Sequence, residues 1–301
     1  KMADSTDQVL TFLRELAARS RGAAEKELSD LQEFAGMSLE PWDLTFWLEK
    51  FKQAKFSVSN EELRQYFPAG TVISGLFALA AKLYGVRLRE QTSVAVWHEE
   101  ARYFSIEDAD GQTIGGFYTD IYARSGKRNG AWIDECISRQ ELNGESALPV
   151  GYLVCNFPPR DDAGLSLLAH DDVVTLFHEF GHMLHHLLTR IDIPSIAGIN
   201  GVPWDAVELP SQFMENFAWS YEVLSQCSAH AETGEPLPLE LFEKLEQSRN
   251  AGAGLAMLRQ LELGLFDFLL HAEYDPANAI APLEVLEEVR NEVSLLKHPD
   301  Y

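Results

Sequence analysis

The chain has 301 residues, 46% of them apolar and 24% charged, an ordinary composition for one large or two smaller globular domains. No apolar run reaches the ~18 residues of a membrane-spanning helix. The formal net charge of −23 sets aside nucleic acid and anionic membrane surfaces as partners, because both need clustered lysine and arginine.

Taken in chain order, the first segment reads as helix. Ser5-x-x-Gln8 has capping-box spacing, Val9, Leu10, Leu13 and Leu16 follow at helical intervals to about Phe34, and Gly36 fits the position after a helix end. "PWDLTFWLEKFKQAKF" (41–56) reads as a helix opened by Pro41, "NEELRQYF" as a short one stopped by Pro68, and "VISGLFALAAKLYG" (72–85) as a buried helix ending at Gly85. The pattern then changes. "SVAVWHEE", "ARYFSIED", "QTIGGFYTDIYA" and "LPVGYLVCNFPP" are rich in aromatic and β-branched residues, and Asp110-Gly111 marks a hairpin. Residues 86–160 are expected to form a small antiparallel sheet with "ARSGKRNGAW" as a polar loop, and the strand "GYLVCNF" is a candidate to pair with an extended peptide. Helices are expected again at 171–190, about 206–230, 238–272 and 282–297, with "AGAG" (251–254) bending or splitting the third. The loop 191–204 is long and glycine-containing, a pattern often functional. The division expected is a helical segment over 1–85, a sheet region over 86–160 and a helical region over 161–301, together one continuous catalytic domain. Lys1-Met2 is not a natural start and "LLKHPDY" closes no element, so the chain reads as a piece of a longer one, incomplete at both ends. Cys136, Cys155 and Cys227 are odd in number, widely spaced and without a CxxC pair. They read as buried, reduced thiols, and with no secretory h-region at the start they point to a cytoplasmic protein.

"VVTLFHEFGHMLHH" (173–186) carries the chemistry. On a helix, residues i and i+4 share a face, so His178 and His182 point together, and with Glu179 they spell H-E-x-x-H. That arrangement directs two imidazoles at one zinc ion and sets a glutamate beside the water the ion activates. The flanking Val173, Val174, Phe177, Phe180, Leu184, Leu187 and Leu188 make the helix a buried one, where unpartnered imidazoles and a carboxylate would be costly. Gly181 disfavours helix by about 1 kcal/mol relative to alanine, which makes sense if another segment packs against its backbone. A catalytic zinc takes a third protein ligand, best sought in "WDAVELPSQFMENFAW" (204–219). Glu208, at the mouth of a helix with Pro210 in its first turn, is one candidate, although Asp205-x-x-Glu208 also has capping-box spacing. Glu215, two turns on, is the alternative ligand or a carboxylate bracing one. His185 and His186 read as core or bracing residues.

"HEFGHMLHH" followed by "VPWDAVELPSQFMENFAW" resembles the thimet oligopeptidase family of zinc metallopeptidases, in particular its bacterial oligopeptidase A branch. "TDIYARSGKRNGAW" and "WDLTFWLEKFKQAKF" are similar to family segments too. The resemblance implies a mainly α fold with a small sheet, the zincin-like catalytic core of a two-lobed helical peptidase. It implies one Zn2+ held by His178, His182 and Glu208, with Glu179 as general base and His185 as a histidine that is not a ligand. It implies an endopeptidase acting on short unfolded peptides, monomeric when complete. A dipeptidyl carboxypeptidase of the same family and a zinc-stabilised peptide-binding fragment with little activity are the alternatives. The family carries, further on, a Gly- and Tyr-rich segment that contacts the substrate, and nothing before Tyr301 matches it. The chain is therefore expected to hold metal but to be catalytically impaired by itself.

Overall fold

The computed structural model describes residues 3–142, 144–273 and 281–296. They group into two compact units, one drawn from Lys1–Ser59 and Lys244–Tyr301 and the other formed by Asn60–Glu243.

In the first unit, α1 (Thr6–Ala35) begins where the Ser5 hydroxyl accepts from the Gln8 backbone and ends at Gly36 with φ 69°. Its buried residues Leu10, Ala17, Ala24 and Leu31 recur every seven positions, a narrow seam. A 3₁₀ turn at Pro41–Asp43 leads into α2 (Leu44–Phe56).

The expected third helix of the C-terminal half splits, as "AGAG" foreshadows. Its first part, Leu239–Ser248, crosses from the second unit into the first, and its second part is Ala253–Ala272, with Gly252 at φ 83° between them. A Cβ on Gly254 would lie 2.7 Å from the Ala24 backbone nitrogen, so glycine is what lets Ala253–Ala272 touch α1. Glu27 of α1 accepts the backbone N–H groups of Gly254 and Leu255, satisfying two donors at that helix start. The last described helix is Pro282–Val293, whose Val289 and Val293 join Leu258, Leu261 and Leu265 in the core of this unit. It ends before the expected boundary, and residue 297 lies outside the described residues.

The second unit carries the sheet. After α3 (Asn60–Arg64) and α4 (Ala69–Tyr84, ended by Gly85 at φ 70°) come β1 (Arg87–Glu90), β2 (Arg102–Glu107), β3 (Thr113–Tyr122), β4 (Trp132–Ile137), the small hairpin β5 (Gln140–Leu142) and β6 (Glu145–Ala147), and β7 (Val150–Phe157). The main sheet runs β1-β2-β3-β7-β4. The mainly α fold with a small sheet stands, but the sheet is mixed. β3 and β7 are parallel, because the chain leaves β3, forms the outer strand β4 and re-enters between them. Two further expectations need correction. "SVAVWHEE" forms no strand; it turns so that the Trp97 indole reaches the Asp120 carboxylate at 2.9 Å. And β7 has neighbours on both sides, so the edge open to an added strand at that end of the sheet is β4.

Strand alternation gives the sheet two faces. On one, Phe104 of β2 and Phe117 of β3 meet Phe77 of α4 and Phe180 of α5 (His170–Leu187), ring centroids 5.0–6.1 Å apart. The other face carries Tyr103, Tyr118, Tyr152 and Trp97. Beyond α5 the helix expected at 206–230 is broken into α6 (Leu209–Glu215), a 3₁₀ turn (Asn216–Trp219) and α7 (Tyr221–Leu224). The Asn216 side chain bonds back to the carbonyls of Gln212 and Phe213, offering the backbone an alternative to helix. His170, buried at the start of α5, donates its Nε2–H to the Ala218 carbonyl at 2.8 Å. Among the described residues no helix is long and apolar enough to cross a membrane.

Candidate metal centre

Helix α5 presents His178 and His182 one turn apart, and α6 crosses it at Gly181. A Cβ on that glycine would stand 2.5 Å from the Pro210 carbonyl oxygen and 2.7 Å from the Ser211 Cα. Backbone therefore packs on backbone, the close approach that explains a glycine in a buried helix. The crossing brings Glu208, the residue immediately before α6, over the two imidazoles. Its Oε2 lies 3.2 Å from His178 Nε2 and 3.0 Å from His182 Nε2. One ligand atom from each of the three residues can be chosen so that all lie within 4.8 Å of one another.

The protons decide what this cluster suits. The Nδ1–H of His178 donates to Glu215 Oε1 at 2.6 Å, which turns the Nε2 lone pair toward Glu208. At these distances either a proton, as in the His182–Glu208 hydrogen bond, or a cation joins the carboxylate to the two Nε2 atoms. The 3.0–3.2 Å separations are near the ~3.3 Å edge of a tetrahedron with ~2.0–2.1 Å bonds, the usual zinc geometry. The donor set, two imidazoles and one carboxylate, fits zinc as well.

The electrostatics have separable causes. Burial holds His182 below the ordinary histidine range, with Glu208 opposing. Glu208, about half exposed, is raised by burial but more than compensated by the Ser211 hydroxyl and the two imidazoles, and ends below the ordinary carboxylate range. Glu179 is buried on the same helix, and desolvation pushes its carboxyl up to about 7, with His178 opposing and Glu208 adding to the rise. A cation beside it would favour the charged form.

Each residue singled out in the sequence has a definite place. His178, His182 and Glu208 converge, Glu179 lies beside them in the buried stretch of α5, and Glu215 braces His178. His186 is turned to the sheet, its Nε2 3.2 Å from the carbonyls of Ile137 and Val150. His185 lies in a depression with Tyr84, Leu188, Pro210 and Met214, its Nδ1 buried without a hydrogen-bond partner. Glu208 takes the cap position of α6, but its side chain makes no capping bond and is free to face the imidazoles. Sequence reasoning missed Ser211, fully buried, whose hydroxyl donates to Glu208 Oε2 at 2.8 Å and fixes its direction. A serine three residues after the glutamate was the available signal. Of the cysteines, Cys155 and Cys227 are buried thiols as expected, while Cys136 is exposed.

Comparison with known proteins adds the family. Residues 1–300 match the model of Peptidase family M3. The chain is 48% identical over 307 residues to oligopeptidase A of Salmonella typhimurium and to that of Escherichia coli, covering 100% of this chain and 45% of each relative. It is 34% identical to the dipeptidyl carboxypeptidase of Escherichia coli over 277 residues, 90% of this chain and 40% of that protein. The chain thus spans less than half the length of these relatives. The resemblance carried by the HEFGH and VELPSQ segments is met by a match over nearly every residue, and the chain belongs to Peptidase family M3.

Proposed function

We propose that this chain forms the zinc centre of a cytoplasmic metallopeptidase that hydrolyses short, unfolded peptides. The observation that carries the reading is the convergence of His178, His182 and Glu208 on one point, with a buried carboxyl, Glu179, beside them. Bound zinc supplies Lewis-acid chemistry, polarising a carbonyl and lowering the pKa of water toward ~7. The residues of this chain do the rest. Glu208, aimed by Ser211, and the imidazoles, with His178 aimed by Glu215, hold the metal. A carboxylate oxygen of Glu179 takes a proton from the attacking water and passes it to the departing amine nitrogen. The burial that raises its affinity for a proton suits a group that must first accept and then release one. Among the described residues β4 is the outer strand at its end of the sheet, and its outward backbone groups, apart from the Ile137 carbonyl beside His186, would pair with an extended peptide.

The oligopeptidase reading is preferred over a dipeptidyl carboxypeptidase because the identity to relatives named oligopeptidase A is higher. The test uses the whole protein and Glu179→Gln. The variant should keep one zinc per chain while hydrolysis of an internally quenched peptide falls by at least ~10²-fold, the scale of a general base. Chelation should abolish wild-type turnover and added zinc restore it. Near-normal turnover in the Glu179→Gln variant, or turnover indifferent to chelation, would overturn the reading. Products released two residues at a time would favour the carboxypeptidase instead.

A further inference from the structure

The sheet face turned away from α5 holds a feature the metal centre does not use. Tyr118 and Tyr152 stack there, centroids 5.4 Å apart and 24° from parallel, and Trp97 packs against both. Next to them on the edge strand, Trp132 stands opposite Val154 and Asp134 opposite Tyr152. Trp97, Trp132, Tyr152 and Val154 wall a basin of about 370 Å³, with Asp120, Lys127, Arg128 and Asp134 also lining it.

Its charges are not equivalent. Asp120, although part of the lining, is buried and closed off, bound by both terminal nitrogens of Arg124, by Lys127 and by the Trp97 indole. Lys127 is likewise spent, donating to the carbonyls of Asp120, Tyr122 and Cys155. Asp134 is exposed and meets no cation among the described residues; its carboxylate accepts only the neighbouring Glu135 N–H. Arg128, exposed on the loop 123–131, lays its guanidinium over the Trp132 ring at 5.4 Å. A cation on an indole face is held by the ring quadrupole, so Arg128 shows what the wall accepts.

We propose that this basin is a second binding site, distinct from the metal centre, for the cationic side chain of a peptide. An arginine or lysine enters between Trp97 and Trp132 with its charge against Asp134, and Arg128 is a resident occupant that it displaces. Charge complementarity favours this occupant over an apolar one, because once Arg128 leaves the wall the lining charge without an ion partner is the Asp134 carboxylate, and the chain as a whole carries −23. Trp97 is prepared for the role, since its bond to Asp120 fixes the plane of the ring at no further ordering cost on binding.

The test titrates the protein with N-acetyl-arginine methylamide and with its neutral citrulline counterpart, reading the indole N–H resonances of Trp97 and Trp132 by NMR. The Trp97 resonance, shifted by its hydrogen bond to Asp120, also reports that each variant is folded. The arginine compound should move both resonances and bind at least about fivefold more tightly than citrulline, the scale of a cation–π contact with a carboxylate nearby. Asp134→Asn should remove most of that preference. Arg128→Ala, by vacating the wall, should tighten binding of the arginine compound. Equal binding of the two compounds, unmoved Trp97 and Trp132 resonances, or weaker binding in Arg128→Ala would each overturn the proposal. None of these readouts depends on zinc or on hydrolysis, so the result stands apart from the fate of the peptidase reading.

Discussion

Adding one methyl group at Gly181 probes how the two arms of the proposed metal centre are held against each other. The new Cβ would sit 2.5 Å from the Pro210 carbonyl oxygen and 2.7 Å from the Ser211 Cα, where ordinary contact begins near 3.4 Å. Both are backbone atoms, so no side chain can swing aside, and α6 must recede by roughly 0.9 Å, the gap between 2.5 and 3.4 Å. Two stability effects oppose each other. Alanine is the better helix former by about 1 kcal/mol, and overpacking a buried contact costs about 1–3 kcal/mol, so the metal-free protein should lose no more than about 2 kcal/mol. The centre should suffer more. His178 and His182 stay with α5 while Glu208 rides on the start of α6. A shift near 0.9 Å is several times the ~0.2 Å latitude of a metal–ligand bond. Zinc affinity should therefore fall about 10–100-fold, the range seen when groups that orient ligands are lost. Competition against a chromophoric chelator measures this, and denaturant unfolding of the metal-free protein separates it from general damage. Wild-type zinc affinity in a folded Gly181→Ala protein would refute the idea that this crossing sets the position of Glu208.

Two other substitutions address separate parts of the second unit. Glu215→Ala removes the acceptor that orients His178 and should weaken zinc binding about 10–100-fold with little change in fold; an unchanged affinity would reduce Glu215 to a surface carboxylate. Asp120→Asn acts on stability through pH. Although burial alone would raise it, the Asp120 carboxyl is held well below its ordinary value of 3.8 by Arg124, Trp97 and Lys127. A depressed carboxyl contributes stability that is present above its unfolded value and lost as pH falls toward the folded one. The substitution should cost about 3–5 kcal/mol at pH 7, the scale of breaking a buried ion pair, and should flatten the decline in stability below pH ~4. Parallel acid-side curves for the two proteins would show that Asp120 is not the group responsible.

Part of the fold was legible because α1 and α4 are punctuated locally. Ser5, Gly36 and Gly85 act at or beside their own residues, and the structure begins or ends helices where they stand. What escaped was decided at a distance. β1, with the sequence RLRE, offers one apolar side chain, as exposed edge strands often do, and only its pairing with β2 makes it a strand. "SVAVWHEE" alternates like a strand, yet the Asp120 carboxylate claims Trp97 and no strand pairs with the segment. The parallel pairing of β3 with β7 follows from a crossover around β4 that no local pattern encodes.

The candidate site divides along the same line. His178 and His182 are four residues apart on one helix, and helical geometry alone makes them neighbours. Glu208 lies 26 residues beyond His182, separated by a loop and a 3₁₀ turn, and spacing could not choose between it and Glu215. The choice rests on packing. Gly181 allows α6 to touch α5 at Pro210 and Ser211, which puts the start of α6 over the Nε2 atoms and its far end beside His178 Nδ1. The two glutamates thus fall on opposite sides of one imidazole, one able to hold a metal and the other to fix the tautomer that presents a lone pair to it. The seven-residue spacing between Glu208 and Glu215 lets one short helix reach both nitrogens of a single imidazole, and an acceptor on the second nitrogen is the usual way a metal-binding histidine is oriented.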